Sequence, residues 1–219
     1  MKLGFRVVKG SGVRQNHRRR TTMIQKAIQA AESQFDQAMQ DLCELVKIPS
    51  VSFDGFPKEE VERSAQAVAA LLKKRGLENV EILRVGDAHP YIYGERLKAP
   101  GKPTLILYAH HDVQPPGRSE IWKSKPFEPT KRQGPGGERL YGRGTADDKA
   151  GIIVHTASID AFLKSVGELP VNVKVVSASP PPAPPAVICD TARLTPLVVS
   201  TFDTIILIKM VLKSCYIDI

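Results

Sequence analysis

One apolar run that leads directly into polar residues constrains this chain more than any other feature. Residues 104–108 read TLILY, and they are followed by His110 and Asp112. So short and apolar a run is typical of a buried parallel strand, which we expect at the centre of a sheet. Side chains two residues apart on an extended backbone point to one face, so His110 and Asp112 should converge. Open α/β sheets bind ligands at this carboxyl end of their strands.

A glycine-rich stretch, YGRGTADDK at residues 141–149, supplies a third polar side chain. It should form a loop that delivers Asp147 to the start of a helix, where the positive end of the helix favours a carboxylate. One histidine and two carboxylates from two strand-to-helix loops would suit a hard or borderline metal ion. The sequence therefore makes His110, Asp112 and Asp147 candidate site residues.

Each of the two stretches also has a simpler structural interpretation. A His-x-Asp pair is often only hydrogen-bonded, and glycines before a helix are commonly turn residues. Two other kinds of site are excluded. The glycine-rich stretch lacks the Gly-Lys-Ser/Thr ending of a phosphate-binding loop, and the chain contains no Gly-x-Ser-x-Gly nucleophile elbow.

Hydrophobic periodicity predicts an α/β layered domain over residues 23–176. A helix should begin at Met23, after Thr22 as N-cap, and end before Pro49. A second helix should begin near Pro57 and end at Gly76. The remaining predicted elements are strands at 80–85, 91–93, 104–109 and 171–176, a hairpin turn at 134–137 and a helix at 148–166.

The basic charge of the chain is concentrated in its first 20 residues. These hold seven of the 31 basic residues and no acid, although the whole chain has a formal net charge of +8. The other 24 basic residues face 23 acidic ones, so the body is nearly neutral. A nucleic-acid arm, a transit peptide or a disordered extension would each account for this composition. We favour a disordered extension over residues 1–22, because neither interleaved aromatics nor an amphipathic period accompanies the charge, and we expect no nucleic-acid partner.

The chain changes character at residues 177–185, which read SASPPPAPP. Proline fixes φ and has no N–H donor, so a helix or a sheet cannot continue through this run. We expect an extended linker there and a poorly ordered, β-prone tail as far as residue 219. Asp203, Lys209 and Lys213 interrupt the apolar runs of that tail, so no membrane span is expected.

The cysteines are few and scattered. Cys43, Cys189 and Cys215 form no CxxC pair, so they indicate neither a disulfide framework nor a zinc ribbon. This usage favours a reducing, cytoplasmic location.

Four motifs in the same order resemble the co-catalytic zinc metallopeptidases of the carnosinase, cytosolic dipeptidase, acetylornithine deacetylase and glutamate carboxypeptidase group. They are IPSVS at 48–52, HHDVQP at 110–115, WKSKPF at 122–127 and YGRGTADDK at 141–149. The resemblance covers about residues 23–176 and is strongest to the dipeptidases. It implies the first part of a zinc-exopeptidase catalytic domain, a layered sheet with flanking helices.

The resemblance also implies roles for single residues. His110 would bind zinc, and Asp147 would bridge two zinc ions, for which manganese or cobalt could substitute. Asp112 would contribute to catalysis by orienting His110 from behind. His111, on the opposite face of the strand, would be structural. The substrate would be a dipeptide or a small N-acyl amino acid, and the intact relatives would be homodimers.

Several parts of that family's site have no counterpart in the sequence. The resembling proteins place a pair of glutamates, one a general base and one a zinc ligand, just after the strand matched by 171–176. Residues 177–219 contain no glutamate. The later acidic ligand, the last histidine ligand and the dimerisation domain also have no match. We therefore expect the first portion of such an enzyme joined to unrelated sequence by a frameshift, an altered splice or a gene-model error.

Two functions follow from these expectations. The first is metal-dependent hydrolysis of dipeptide bonds, impaired here by the missing base and ligands. The second is a non-catalytic fragment that only binds metal weakly or associates with a partner. A third interpretation, nucleic-acid binding through the basic arm, is disfavoured by the neutral body.

Overall fold

Six strands and four α-helices make up the part of the chain described by the computed structural model, which covers residues 11–179, with side chains from residue 21 onward. In chain order they are α1 (Ser11–Ser33), α2 (Phe35–Val46), α3 (Lys58–Lys74), β1 (Glu78–Leu83), β2 (Tyr91–Arg96), β3 (Thr104–His110), β4 (Thr130–Gly134), β5 (Gly137–Tyr141), α4 (Lys149–Val166) and β6 (Asn172–Ala178). Within this range, no helix is long and apolar enough to cross a membrane.

The main sheet has four strands in the order β1-β2-β6-β3. β2 pairs antiparallel with both β1 and β6, whereas β3 pairs parallel with β6. The chain reaches β6 from β3 through the β4–β5 hairpin and α4, which is the long crossover that a parallel pair requires. The last strand is therefore inserted between the second and the third.

The helices cover one face of this sheet, and the prediction of an α/β layered domain is confirmed. Ile92, Val173 and Val175 are buried on the face that meets α3 and α4. The alternate residues lie on the opposite face, where the Lys174 ammonium lies 3.8 Å from the Glu95 carboxylate. This division of the two faces follows from the two-residue period of a strand.

The prediction that the TLILY strand lies at the centre of the sheet is wrong. Within residues 11–179, β3 pairs only with β6 and forms an edge of the sheet. Tyr108 is 55% exposed, so the strand is also less buried than its composition suggested. The apolar character of β3 comes from Leu105, Leu107 and Ala109, which join the core beneath α4. The hydropathy of β3 thus indicates that α4 covers the strand, but it does not indicate which strands lie beside it.

The prediction of a disordered extension over residues 1–22 needs correction. α1 begins at Ser11, twelve residues before the predicted start at Met23. Residues 11–22 contain several arginines and no proline, and arginine is a good helix former, so a helix already formed from Met23 can extend toward the N-terminus. Residues 1–10 lie outside the described range.

The predicted single helix from Met23 to the region of Pro49 is divided in two at Gln34. This residue has φ −106° and ψ 8°, outside the helical range. The Ser33 hydroxyl and the Gln34 side-chain amide both donate to the Ala30 carbonyl, at 2.8 and 3.0 Å. These local bonds compete with the backbone for a helical acceptor, which breaks the helix without interrupting its apolar stripe.

The predicted bounds of α3 are confirmed. The helix follows Pro57 directly and ends at Lys74, with Arg75 as its C-cap, and Gly76 then takes φ +85°. A side chain would be strained in that left-handed conformation, and a Cβ on Gly76 would lie 2.8 Å from a methyl group of Leu163. The glycine therefore both ends α3 and permits its close approach to α4.

The predicted linker at residues 177–185 begins too early. β6 continues to Ala178, where Ser177 pairs with Ala109 and Ala178 pairs with His110. Ser177 and Ser179 are buried. These residues still find partners on β3, and the first residue that cannot donate to a ladder is Pro180. The remainder of the predicted linker and tail, residues 180–219, lies outside the described range.

A buried charge network joins three of the helices, and we call Arg75, Asp41 and Asp160 the Arg75 cluster. Arg75 caps α3 and is 4% exposed. Its guanidinium donates to Asp160 on α4 at 2.6 Å and also to Asp41 on α2. Each carboxylate also has a more exposed ammonium partner, Lys74 for Asp41 at 3.2 Å and Lys164 for Asp160 at 2.7 Å. The network therefore joins α2 and α4 to the end of α3.

Candidate metal centre

The carboxyl end of β3 presents His110 and Asp112 together, as the sequence predicted. His110 Nδ1 lies 3.1 Å from the Asp112 backbone oxygen and 3.2 Å from the carboxylate Oδ1. One ring N–H therefore faces both acceptors of the same residue. The ring orientation is fixed from behind, and Nε2 is directed away from Asp112.

The glycine-rich loop brings Asp147 to the free side of that ring. Asp147 Oδ1 is 3.0 Å from His110 Nε2, and the Asp147 side chain is 67% exposed. The prediction that these two side chains lie close together is confirmed. We call His110, Asp112 and Asp147 the His110 cluster. The peptide bond between Asp147 and Asp148 is cis.

The glycines of this loop are needed for close packing. A Cβ on Gly144 would lie 2.6 Å from a methyl group of Val113 and 3.4 Å from Lys149 Cδ. A Cβ on Gly142 would lie 3.1 Å from a methyl group of Val46 at the end of α2. Gly144 also has φ +86°, which other residues rarely adopt. The loop therefore passes directly over the core before it reaches Asp147.

Asp148 connects the loop to the backbone of β3. Its Oδ2 accepts a hydrogen bond from the His110 backbone N–H at 3.2 Å. Burial raises the pKa of the Asp148 carboxyl, which the bond from His110 offsets only in part. The predicted helix start at Asp148 is displaced by one residue, since Asp148 is the N-cap and α4 begins at Lys149.

Lys149 points away from the cluster into the protein core. It is fully buried, and its Nζ donates to the backbone oxygens of Leu45 and Ile48, at 2.7 Å each. Burial lowers the pKa of Lys149 to about 7, against the opposing effect of Asp112. No role was predicted for this lysine, although it lies on the buried stripe of α4 with Ile152 and Ile153.

The charges of the cluster support one another. The hydrogen bond with Asp112 raises the pKa of His110 to about 9, and Asp147 acts in the same direction. Burial raises the pKa of Asp112, but hydrogen bonds from His110 and Ser52 outweigh it and leave the pKa lowered. At neutral pH and without metal, the ring is therefore a cation between two carboxylates.

Ser52 contacts the cluster, although it was not among the predicted site residues. Its hydroxyl donates to Asp112 Oδ2, on the side opposite His110. Two backbone bonds hold the serine in place: Val113 N donates to Ser50 O at 2.9 Å, and Ser52 N donates to Val113 O at 3.4 Å. Ser52 belongs to the IPSVS motif, but nothing in the sequence indicated that its hydroxyl would bond to Asp112.

His111 is structural, as predicted. The side chain is fully buried, and Nε2 donates to the Pro90 backbone oxygen at 3.0 Å. Burial lowers the pKa of His111 to about 4, so the ring is neutral. Its own carbonyl accepts bonds from Ser50 and Ser64, which fasten the strand end to the neighbouring loop and to α3.

The geometry suits the first two ligands of a metal ion. A bond from Nδ1–H to Asp112 leaves Nε2 as the ligand atom once its proton is lost, the usual arrangement for a metal-binding histidine. Ligands at about 2.0–2.2 Å from a tetrahedral zinc lie roughly 3.4 Å apart. The 3.0 Å between Nε2 and Asp147 Oδ1 would have to widen only slightly. Among residues 11–179, however, no group of three or more His, Cys, Asp or Glu side chains is placed to hold a metal.

The WKSKPF motif at residues 122–127 packs beside the glycine-rich loop. Trp122 Nε1 donates to the Pro116 backbone oxygen at 2.8 Å. The Arg143 guanidinium lies 5.4 Å from the centre of the Trp122 ring, and Arg143 N donates to Pro126 O at 2.7 Å. These contacts join the two motifs that flank the cluster.

Comparison with known sequences identifies proteins that are similar to this chain. A model of the peptidase family M20/M25/M40 matches residues 106–179, a range that includes the whole His110 cluster. The Cys-Gly metallodipeptidase of Candida albicans is 34% identical over 141 residues, which are 59% of this chain and 29% of that protein. The Beta-Ala-His dipeptidase of Homo sapiens is 29% identical over 165 residues, 70% of this chain and 32% of that protein.

Two solved dipeptidase structures are similar in fold to this chain. The dipeptidase Dug1p of Saccharomyces cerevisiae matches 71% of this chain and 34% of its own, with a TM-score of 0.63 and 25% identity. Human carnosine dipeptidase 1 matches the same shares, with a TM-score of 0.63 and 30% identity. The chain thus spans about a third of the length of the relatives that it matches. The predicted resemblance to metallopeptidases is confirmed.

Proposed function

We propose that the chain derives from a metal-dependent hydrolase of dipeptide bonds, because residues 106–179 match the M20/M25/M40 peptidase model and the chain is similar to part of two dipeptidases. One observation carries the proposal. His110 Nε2 and Asp147 Oδ1 face one another at 3.0 Å at the carboxyl end of β3, with the far side of the ring held by Asp112.

In this proposal the His110 cluster forms part of a two-metal zinc site. A bound metal supplies a Lewis acid for the scissile carbonyl and lowers the pKa of a coordinated water. His110 would hold a metal through Nε2, and the exposed Asp147 carboxylate would supply a second ligand. Asp112 fixes the ring and keeps the proton on Nδ1. Manganese or cobalt would substitute for zinc at the same nitrogen and oxygen atoms.

The substrate class follows from the relatives. A dipeptide, or a small N-acyl amino acid, is the proposed substrate, and a homodimer is proposed for the intact enzyme. We also propose a cytoplasmic location, on the scattered cysteines of the sequence.

We further propose that the 219-residue chain hydrolyses dipeptides poorly. Residues 177–219 contain no glutamate to serve as the general base. Loss of a positioned general base typically costs about 10²–10⁴ in rate. Loss of metal ligands should cost more, because a closed zinc site ordinarily has about four ligands.

The second candidate function is that of a non-catalytic fragment with weak metal binding or a binding partner. It is favoured by the absence, within residues 11–179, of a third ligand beside His110 and Asp147. The two proposals differ only in whether metal binding leads to hydrolysis.

One experiment separates them. The purified chain is stripped with a chelator, loaded with zinc, manganese or cobalt, and assayed for metal binding by calorimetry and for dipeptide hydrolysis. We expect weak binding that is lost in His110→Ala and Asp147→Asn, with little or no turnover. His89→Ala and Asp87→Asn are the matched controls, since both residues lie in the loop before β2 and outside the cluster.

Fast, metal-dependent turnover that disappears in His110→Ala would show that the chain is an intact enzyme. Metal binding that survives both cluster substitutions would refute the site itself.

A further inference from the structure

We propose that Lys149 is a positioning residue of the metal centre, which holds the Asp147–Asp148 segment in register with His110 by fastening the start of α4 to the end of α2. This inference rests on the proposed function only in naming the centre a metal site. The contacts of Lys149 are independent of that name.

The first support is the location of the two acceptors. Leu45 O lies in the last turn of α2, and Ile48 O lies two residues beyond its end. Each already accepts a backbone N–H, from Ile48 at 3.1 Å and from Ser50 at 2.8 Å, so Lys149 is a second donor to both. Lys149 Nζ reaches both, at 2.7 Å each, through the core. The side chain therefore acts as a cap supplied by another helix.

The second support is the sequence of contacts along three consecutive residues. Asp147 contacts the His110 ring, Asp148 accepts from the His110 backbone, and Lys149 holds α2. A shift of α4 at Lys149 would displace both aspartates from their positions on His110. The spacing of the cluster thus depends on a bond made on the opposite side of the loop.

The third support is the choice of residue. Lysine is among the residues least often fully buried, because its ammonium group loses its hydration. A methionine would fill a similar volume on the buried stripe of α4 without that cost. Lys149 is nevertheless fully buried, which indicates that its N–H donors are needed at this position.

The test compares Lys149→Met with a matched control, Asp160→Asn. Asp160 is also buried on α4 and also bonds to a neighbouring helix, but at the far end from the cluster. Both variants are titrated with Co²⁺, followed by visible absorption, and the His110 ring nitrogens are observed by ¹⁵N NMR without metal. We expect Lys149→Met to weaken Co²⁺ binding about 10- to 100-fold and to shift the His110 signals. We expect Asp160→Asn to leave both measurements as in the wild type.

Equal effects of the two substitutions would overturn the inference, because a purely structural role predicts them. If the wild type binds no Co²⁺, the proposed function fails, but the His110 signals still test Lys149. If Lys149→Met does not fold, hydrogen exchange on the wild type decides. The Ile48 and Lys149 amides should then open together with one free energy, and independent opening would refute the coupling.

Discussion

The Arg75 cluster and the His110 cluster each place a cation against two carboxylates, and they differ in how much of the cluster is exposed to solvent. In the Arg75 cluster the three side chains are 4%, 12% and 8% exposed for Arg75, Asp41 and Asp160. In the His110 cluster, Asp112 is 5% exposed but Asp147 is 67% exposed. The first arrangement is closed to solvent, and the second is closed on one side only.

The difference separates structure from function. Every charge of the Arg75 cluster is committed to another helix, so a change there alters the free energy of unfolding. In the His110 cluster, the contact between Nε2 and Asp147 faces solvent, and under the proposed function a metal ion would replace it. The buried half of the cluster orients the ring, and the exposed half is available for chemistry.

The largest effect is expected from opening the closed cluster. Arg75→Met would remove the buried cation of the cluster and leave Asp41 and Asp160 with only the exposed ammonium groups of Lys74 and Lys164. We expect the free energy of unfolding to fall by about 3–5 kcal/mol, as is typical when one partner of a buried ion pair is removed. Urea denaturation followed by circular dichroism measures this change.

The control is an exposed pair of the same chemistry. Arg84 and Glu62 contact one another at 2.6 Å with 59% and 30% exposure. Arg84→Ala should cost no more than about 1 kcal/mol. If the two arginine substitutions cost the same, burial would not be what distinguishes the Arg75 cluster.

A smaller effect is expected on the buried side of the His110 cluster. Ser52→Ala removes a hydroxyl that donates to the Asp112 carboxylate. Bonds to charged groups contribute about 1.5–3 kcal/mol, so we expect a loss of stability in that range together with a rise in the pKa of Asp112. Denaturation and NMR titration of Asp112 measure the two effects.

Ser158→Ala is the matched control, since the Ser158 hydroxyl donates only to the Val154 carbonyl within α4. That carbonyl belongs to a helix interior and keeps its backbone donor. We therefore expect a change near zero. A loss as large as that of Ser52→Ala would mean that removal of any serine hydroxyl has this effect.

The smallest effect is expected from the contribution of His110 to the stability of the metal-free chain as the pH changes. The pKa of His110 is raised from 6.5 to about 9, so its contribution to stability is complete below pH 6.5 and is lost as the pH rises through 9. Because the ring is partly exposed, we expect a loss on the order of 1 kcal/mol. Thermal unfolding with chelator at pH 6 to 10 measures it.

Compared with the wild type, His110→Ala should lack this loss of stability, while His89→Ala should keep it. A profile that is unchanged in His110→Ala would assign the titration to another group. Asp112, whose pKa is lowered from 3.8, contributes only at acid pH. The pKa of Lys149 is lowered to about 7, so Lys149 adds a rise in stability with pH over the same window, and the effect of His110 is read as the difference between the wild-type and His110→Ala profiles.

The His110 cluster could be predicted from sequence because its geometry follows from local rules. Two-residue spacing on a strand directs His110 and Asp112 to one face, and a glycine-rich loop before a helix delivers Asp147 to the same edge. These rules use only residues near one another in the chain. Nothing in them depends on how the strands are ordered.

The order of the strands and the contacts of Lys149 could not be predicted, because they depend on residues that are far apart in the chain. The edge position of β3 is decided by β6, which arrives only at residue 172. The acceptors of Lys149 are 104 and 101 residues away in sequence. The break at Gln34 was missed because the apolar stripe continues through it, and periodicity reports the buried face without reporting the continuity of the helix.

The insertion of β6 between β2 and β3 also determines when the domain can assemble. The β1–β2 hairpin and the N-terminal helices involve neighbouring segments and can form early during synthesis. β3 has no strand partner until β6 has been made, because within the described residues it pairs with β6 alone. The loops that carry His110 and Asp147 are thus synthesised before the strand that brings β3 into the sheet. Closure over such a sequence separation is slow, and until it occurs the exposed edge of β3 is open to pairing between nascent chains.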